Sequence, residues 1–186
     1  MQSLHPDVQK LLYTETQLKE RIAALGAQLS EDYAGKNPLL VCVLKGAVHF
    51  FTELAKTVTI DCAYDFASAS SYADGTESSG RVRLLKDIET EIEGRDVIIV
   101  DDIIDTGLTL QFLAQLFESR NPASVRTCVL LDKPERRTVD FSADYAGFTI
   151  PNVFVVGYGL DYQQRYRNLP YIGILKPEKY SNLPLE

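Results

Sequence analysis

The segment Val100-Asp101-Asp102-Ile103-Ile104-Asp105-Thr106-Gly107-Leu108-Thr109 sets three carboxylates and two hydroxyls around one glycine. Asp96 to Val100 before it reads as a buried strand that ends at the acidic pair, and Leu110, Leu113, Leu116 and Phe117 after it recur at helical spacing. Free backbone N–H groups and the dipole at a helix start favour an anion. Gly107 allows close backbone approach, and Thr106 and Thr109 can donate hydroxyl hydrogen bonds, so the end of this loop suits a phosphomonoester. Carboxylates would repel that phosphate unless the same ligand also brings hydroxyl donors or a magnesium ion. A sugar phosphate with free 2- and 3-hydroxyls does so. An isolated Asp-Thr-Gly is most often a plain helix cap; the whole pattern behind a buried strand is what points to a ligand.

Three further groups fall beside apolar runs. Lys45-Gly46 follows the continuous run Leu39 to Leu44, and Lys133 follows the strand-like run Val125 to Leu131. Phe154-Val155-Val156-Gly157-Tyr158-Gly159-Leu160-Asp161-Tyr162 contains a fourth apolar run, Val153 to Val156. Taken singly these are a turn, a solvated lysine in a charged stretch and a core aromatic. Their common position is the argument: ligands of open α/β sheets bind outside the carboxyl ends of the strands.

The elements that would position them alternate. Thr14 and Gln17 fit a capping box ahead of Leu18, Ile22, Leu25 and Leu29, and a second helix is expected over Ala47 to Val58. Residues 60 to 69 and 81 to 85 read as strands, and 70 to 80 as a long loop without apolar period. The type of the opening segment Val8 to Tyr13 stays open. Apolar strands alternating with helices predict an α/β fold, a mostly parallel twisted sheet flanked by helices, as one domain over 1–186.

Composition bounds the partners. Nineteen Lys and Arg against 26 Asp and Glu give a net charge of −7, with no basic stripe for nucleic acid. No apolar run is long enough for a membrane span, and the N-terminus lacks a secretory pattern, so the expected location is the cytoplasm. Three scattered cysteines, Cys42, Cys62 and Cys128, predict buried reduced thiols, not a disulfide frame or zinc site. His5 and His49, without an acid partner or metal spacing nearby, read as structural.

Together these motifs resemble the type I phosphoribosyltransferases, over about residues 8 to 175, and most of all their hypoxanthine-guanine group. The resemblance implies a hood formed by the N- and C-terminal segments. It implies that Asp101 and Asp102 hold the ribose hydroxyls of phosphoribosyl pyrophosphate, directly or through Mg2+, and that Asp105 receives the proton from purine N7. Asp101 stands where relatives commonly carry Glu. Thr106, Gly107, Leu108 and Thr109 would cradle the 5-phosphate. Lys45 and Gly46, behind a non-proline cis peptide, would bind pyrophosphate with Arg167. Lys133 would donate to the 6-oxo group of the purine, Phe154 would stack on the base, Val155 would offer backbone contacts, and Asp161 would hold a second magnesium. Ser71 and Tyr72 would begin a lid over 70 to 80. The family's usual homodimers or homotetramers are expected.

A phosphoribosyltransferase-fold regulator that binds RNA would keep the acidic loop but add a basic surface, against the low sequence pI of 4.9. A ribose-phosphate pyrophosphokinase would need room for ATP and a longer chain.

Overall fold

The computed structural model describes residues 4–71 and 82–180. Nine strands and three helices are assigned among the described residues: β1 Val8–Tyr13, α1 Glu15–Asp32, β2 Leu39–Leu44, α2 Val48–Thr57, β3 Ala63–Ser71, β4 Val82–Lys86, β5 Asp96–Ile104, α3 Leu108–Glu118, β6 Ser124–Asp132, β7 Tyr145–Thr149, β8 Val155–Val156 and β9 Ile172–Leu175. Helix α1 starts as expected: the Thr14 hydroxyl accepts from the Gln17 N–H while the Gln17 side chain accepts from the Thr14 N–H.

The main sheet has the order β4-β3-β2-β5-β6-β7, parallel throughout except for β4, which runs antiparallel to β3. Side chains of a strand alternate between faces, and here each face has its own cover. Leu40, Cys42, Ile98 and Val100 pack with α1 and α2, whereas Leu39, Val41, Val97 and Ile99 pack with α3. Both faces are buried, which accounts for the unbroken apolar runs of β2 and β5.

Two expectations are corrected here. Strand β5 does not stop at Val100. Its ladder with β6 continues through Asp101↔Val129, Ile103↔Leu131 and Ile104↔Asp132, so the acidic pair sits on the strand itself. The run Val153 to Val156 contributes only the two-residue β8, and to a different sheet. That sheet, β1-β9-β8, is antiparallel and joins the N- and C-terminal segments into the expected hood. The sixth strand of the main sheet is β7, whose Cys128↔Tyr145 to Asp132↔Thr149 pairing extends the parallel ladder. An apolar run of four residues carries no information about which sheet it joins, because both environments bury it.

Cys42 and Cys128 are buried and Cys62 is only partly so; all three are free thiols. His5 does have an acid neighbour. Its Nδ1 accepts the Asp7 N–H at 3.1 Å and lies 3.8 Å from the Asp7 carboxylate. No helix among the described residues is long and apolar enough to cross a membrane.

Candidate active site

The carboxyl ends of β2, β5 and β6 form one rim, and two cavities open along it. The smaller, about 430 Å3, is lined by Leu44 and Gly46, by Asp101 to Gly107, and by Thr109. The larger, about 630 Å3, is lined by Lys133, Phe154, Val155 and Asp161 and extends to Gln9 and Tyr180 of the hood. Asp102, Ile103, Asp105 and Arg136 line both, so they form the junction between the two spaces.

In the smaller cavity the backbone conformation is fixed by Gly107, with φ +88° at the N-cap of α3 and no side-chain cap bond. The N-cap residue itself offers no side chain; the Thr106 hydroxyl accepts the Leu108 N–H at 3.4 Å, and the N–H groups that follow in the first turn have no partner within the helix. A side chain at 107 would also collide with Arg137 and Val139, at 2.8 and 2.9 Å. Those residues come from the turn after β6, where the Arg137 guanidinium donates to the Asp105 carbonyl at 3.1 Å and to the Asp132 carboxylate at 2.5 Å, and also to the Phe141 carbonyl. Thr138 N–H donates to the Thr106 carbonyl at 3.0 Å. The phosphate-suited loop is thus buttressed from a segment thirty residues on. Leu108 lines neither cavity.

Asp101 is buried, and its carboxylate accepts the N–H of Asp102 at 2.9 Å. Burial pushes both carboxyls of the pair up, Asp101 well above the usual range, with the Asp102 charge adding to it. Neither forms an ion pair among the described residues. Such a desolvated, unpaired donor set fits an arriving cation that keeps most of its waters, as magnesium does. The described residues contain no group of three His, Cys, Asp or Glu side chains able to grip a metal by themselves. Asp161, the third expected ligand, is instead paired with Arg167 at 2.8 Å and accepts the Gln164 N–H at 2.7 Å.

Lys45 follows β2 behind the cis peptide Leu44-Lys45 and is exposed. Gly46 packs directly on the acidic pair: a Cβ there would lie 1.8 Å from the Asp102 carboxylate. Gly159 packs on Gly46 in turn, where a Cβ would sit 2.0 Å from the Gly46 carbonyl oxygen. This contact brings the segment after β8 to the rim although β8 belongs to the other sheet. Arg167 lies beside it, its guanidinium donating to the Gly159 carbonyl at 2.7 Å.

Lys133 is only 7% exposed, which discards the solvated reading. Its N–H donates to the Ile104 carbonyl at 3.0 Å, and its ammonium stands 4.0 Å from the Asp105 carboxylate. Burial lowers the lysine pKa, with Arg136 pushing the same way and Asp105 opposing. Arg136, which no sequence motif singles out, bonds Asp105 at 3.0 Å through Nε. The short 3-10 turn Pro134–Arg136 folds it back over the rim. Its only sequence signal is a proline directly after a rim lysine. Ser71 ends β3, while Tyr72 and nearly all of the expected lid lie outside the described residues.

A family profile described as the phosphoribosyl transferase domain matches residues 9–163. The hypoxanthine-guanine phosphoribosyltransferase of Streptococcus thermophilus is 53% identical over 96% of this chain and 99% of its own length. The bifunctional protein TilS/HprT of Listeria monocytogenes is 54% identical over 97% of this chain, which spans only 28% of that longer relative. Among solved structures, a hypoxanthine phosphoribosyltransferase from Staphylococcus aureus superposes with a TM-score of 0.92 at 48% identity, covering 96% of this chain and 97% of the other. With the acidic strand end, the glycine-led helix and the buried rim lysine in place, the chain belongs to the phosphoribosyltransferase family, in its hypoxanthine-guanine group.

Proposed function

We propose that the protein transfers the 5-phosphoribosyl group of phosphoribosyl pyrophosphate to N9 of hypoxanthine, and of guanine, releasing pyrophosphate and the nucleoside monophosphate. One observation carries this reading: the two cavities share Asp102, Ile103, Asp105 and Arg136 as a common wall. The donor's 5-phosphate fits the smaller space, against the α3 N-terminus, Thr106 and Thr109. The base fits the larger, with Phe154 on its face and Lys133 at its edge. The sugar carbon that changes partners then lies at the junction. There Asp105 receives the N7 proton as N9 attacks, and Lys133 donates to the 6-oxygen.

A 6-amino group would present donors to that ammonium and lose the bond, so adenine is rejected. Arg167, Lys45 and the Gly46 backbone receive the departing pyrophosphate. Asp101 and Asp102, and at a second position Asp161, would hold magnesium, which would neutralise charge on the diphosphate. Residues 1–186 act as one domain, in the cytoplasm. A homodimer or homotetramer would cover the exposed Val48, Tyr64, Phe66 and Leu85 of α2, β3 and β4.

The test is initial rates with hypoxanthine, guanine, xanthine and adenine, with and without magnesium. Turnover of 6-oxopurines that needs the metal is expected. Adenine turning over as fast as hypoxanthine overturns the Lys133 assignment, and no turnover of any purine overturns the function.

A further inference from the structure

Phe154 stands one residue before β8, a strand only two residues long. Its carbonyl accepts the Leu175 N–H at 2.9 Å, a bond that holds the backbone and leaves the side-chain torsions free. The plane of its ring must therefore be fixed by what packs on it. Tyr180 stacks on one face, with centroids 4.9 Å apart and planes 22° from parallel. Tyr162 stands perpendicular at 5.6 Å and does not line the larger cavity, whereas Phe154 and Tyr180 both do.

Tyr180 is itself anchored at a distance. It follows the 3-10 turn Pro177–Lys179 and donates its N–H to the Pro177 carbonyl at 3.1 Å. Asp7, near the other end of the chain, holds that turn. Its carboxylate pairs with Lys179 at 2.7 Å and accepts the Tyr166 hydroxyl at 2.8 Å, and its carbonyl accepts the Lys176 N–H at 3.0 Å. The Asp7 side chain is only 14% exposed, so this cluster is a partly buried junction of three chain segments.

We propose that Tyr180, fixed by Asp7 through Lys179, is a positioning residue for the base: it backs the Phe154 ring so that the ring's remaining face lies flat against the purine. The proposal rests on the reading of the larger cavity as the base site. A flat partner restricts the ring where a merely bulky one does not, since offset stacking fixes orientation as well as separation. Tyr180 lines the larger cavity and not the smaller one, so its effect falls on the purine.

The experiment compares Tyr180→Phe, Tyr180→Leu, Tyr180→Ala and Asp7→Asn with the parent, measuring KM for hypoxanthine, KM for phosphoribosyl pyrophosphate, kcat and the melting temperature. Loss of the stacking partner in the Leu and Ala variants is expected to raise KM for hypoxanthine by roughly three- to tenfold. KM for the donor should stay within about twofold, the pattern of a group acting on one ligand alone. Tyr180→Phe should restore the parental value, and Asp7→Asn should move KM for the purine in the same direction. Parental purine KM in the Leu variant overturns the proposal, as does an equal rise for both substrates. Should Tyr180→Ala fail to fold, the Phe and Leu pair decides alone, because Phe keeps the flat ring while Leu keeps a large apolar side chain without one. An inactive parent defeats the assigned function as well; an active parent with an unaltered Leu variant defeats only this inference.

Discussion

Gly159→Ala isolates the contact that seats the segment after β8 against the Lys45-Gly46 turn. The added methyl carbon would lie 2.0 Å from the Gly46 carbonyl oxygen, where an ordinary carbon–oxygen contact is about 3.3 Å. The two segments must separate by roughly 1.3 Å, the difference between those distances. Gly46 cannot retreat, because its own α-carbon is wedged on Asp102 at a place where a Cβ would meet the carboxylate at 1.8 Å. The displacement is therefore taken up by the segment 157–161, which carries Asp161 on the rim. A 1 Å misplacement in a reacting site costs about a hundredfold in rate. In addition φ is +102° at 159, which adds a backbone cost on the order of 1–2 kcal/mol for alanine. For a chain of this size that lowers Tm by roughly 2–8 °C. Steady-state kinetics with phosphoribosyl pyrophosphate varied, run beside a thermal melt, separate the two effects. The expected result is a loss in kcat/KM for the donor of about a hundredfold in a protein that remains folded at assay temperature. Activity within about threefold of the parent would refute the idea that this glycine contact sets the loop.

Asp105→Asn keeps the size of the side chain and removes the proton acceptor, so kcat should fall by about 10²- to 10⁴-fold while donor binding, read by isothermal titration, survives. Lys133→Met preserves the buried stem and removes the donor; kcat/KM for hypoxanthine should drop about 10- to 100-fold, and an unchanged ratio of hypoxanthine to adenine rates would contradict the assignment. Asp65 gives a stability prediction with a pH sign. Its carboxylate accepts the N–H groups of Phe66, Glu89 and Thr90 at 2.7, 2.9 and 2.8 Å. Against burial, which pushes its pKa up, the Thr90 side chain and these N–H groups hold it below the usual carboxylate range. A folded pKa below the unfolded value means the contribution is present above about pH 4 and is lost as pH falls through the lowered value. Asp65→Asn should therefore lose about 1–2 kcal/mol at pH 7, and the gap to the parent in urea unfolding should close toward pH 3; a gap independent of pH would show that charge plays no part.

The sequence by itself determined whatever is local. The buried strand, the carboxylates, Gly107 and the helix that follows lie within about twenty residues, and each step there rests on nearest neighbours: side-chain alternation, free N–H groups, a positive φ only glycine adopts freely. The same holds for the capping box at Thr14 and for Lys133 directly after an apolar strand. Tertiary structure alone decided what pairs with what. Whether Asp101 and Asp102 belong to a loop or to β5 depends on β6 carrying the ladder onward, and an acidic pair gives no sign of its partner strand. Val155 and Val156 are as apolar as a buried parallel strand, yet they join the hood, because burial sets composition and does not choose the sheet. Arg136 on Asp105, Gly159 on Gly46 and Asp7 holding the turn that sets Tyr180 on Phe154 are contacts between residues 31, 113 and 172 apart, the last counted from Asp7 to Lys179. No periodicity or spacing encodes such separations. They follow from the path of the chain, and they turn a set of legible motifs into one site.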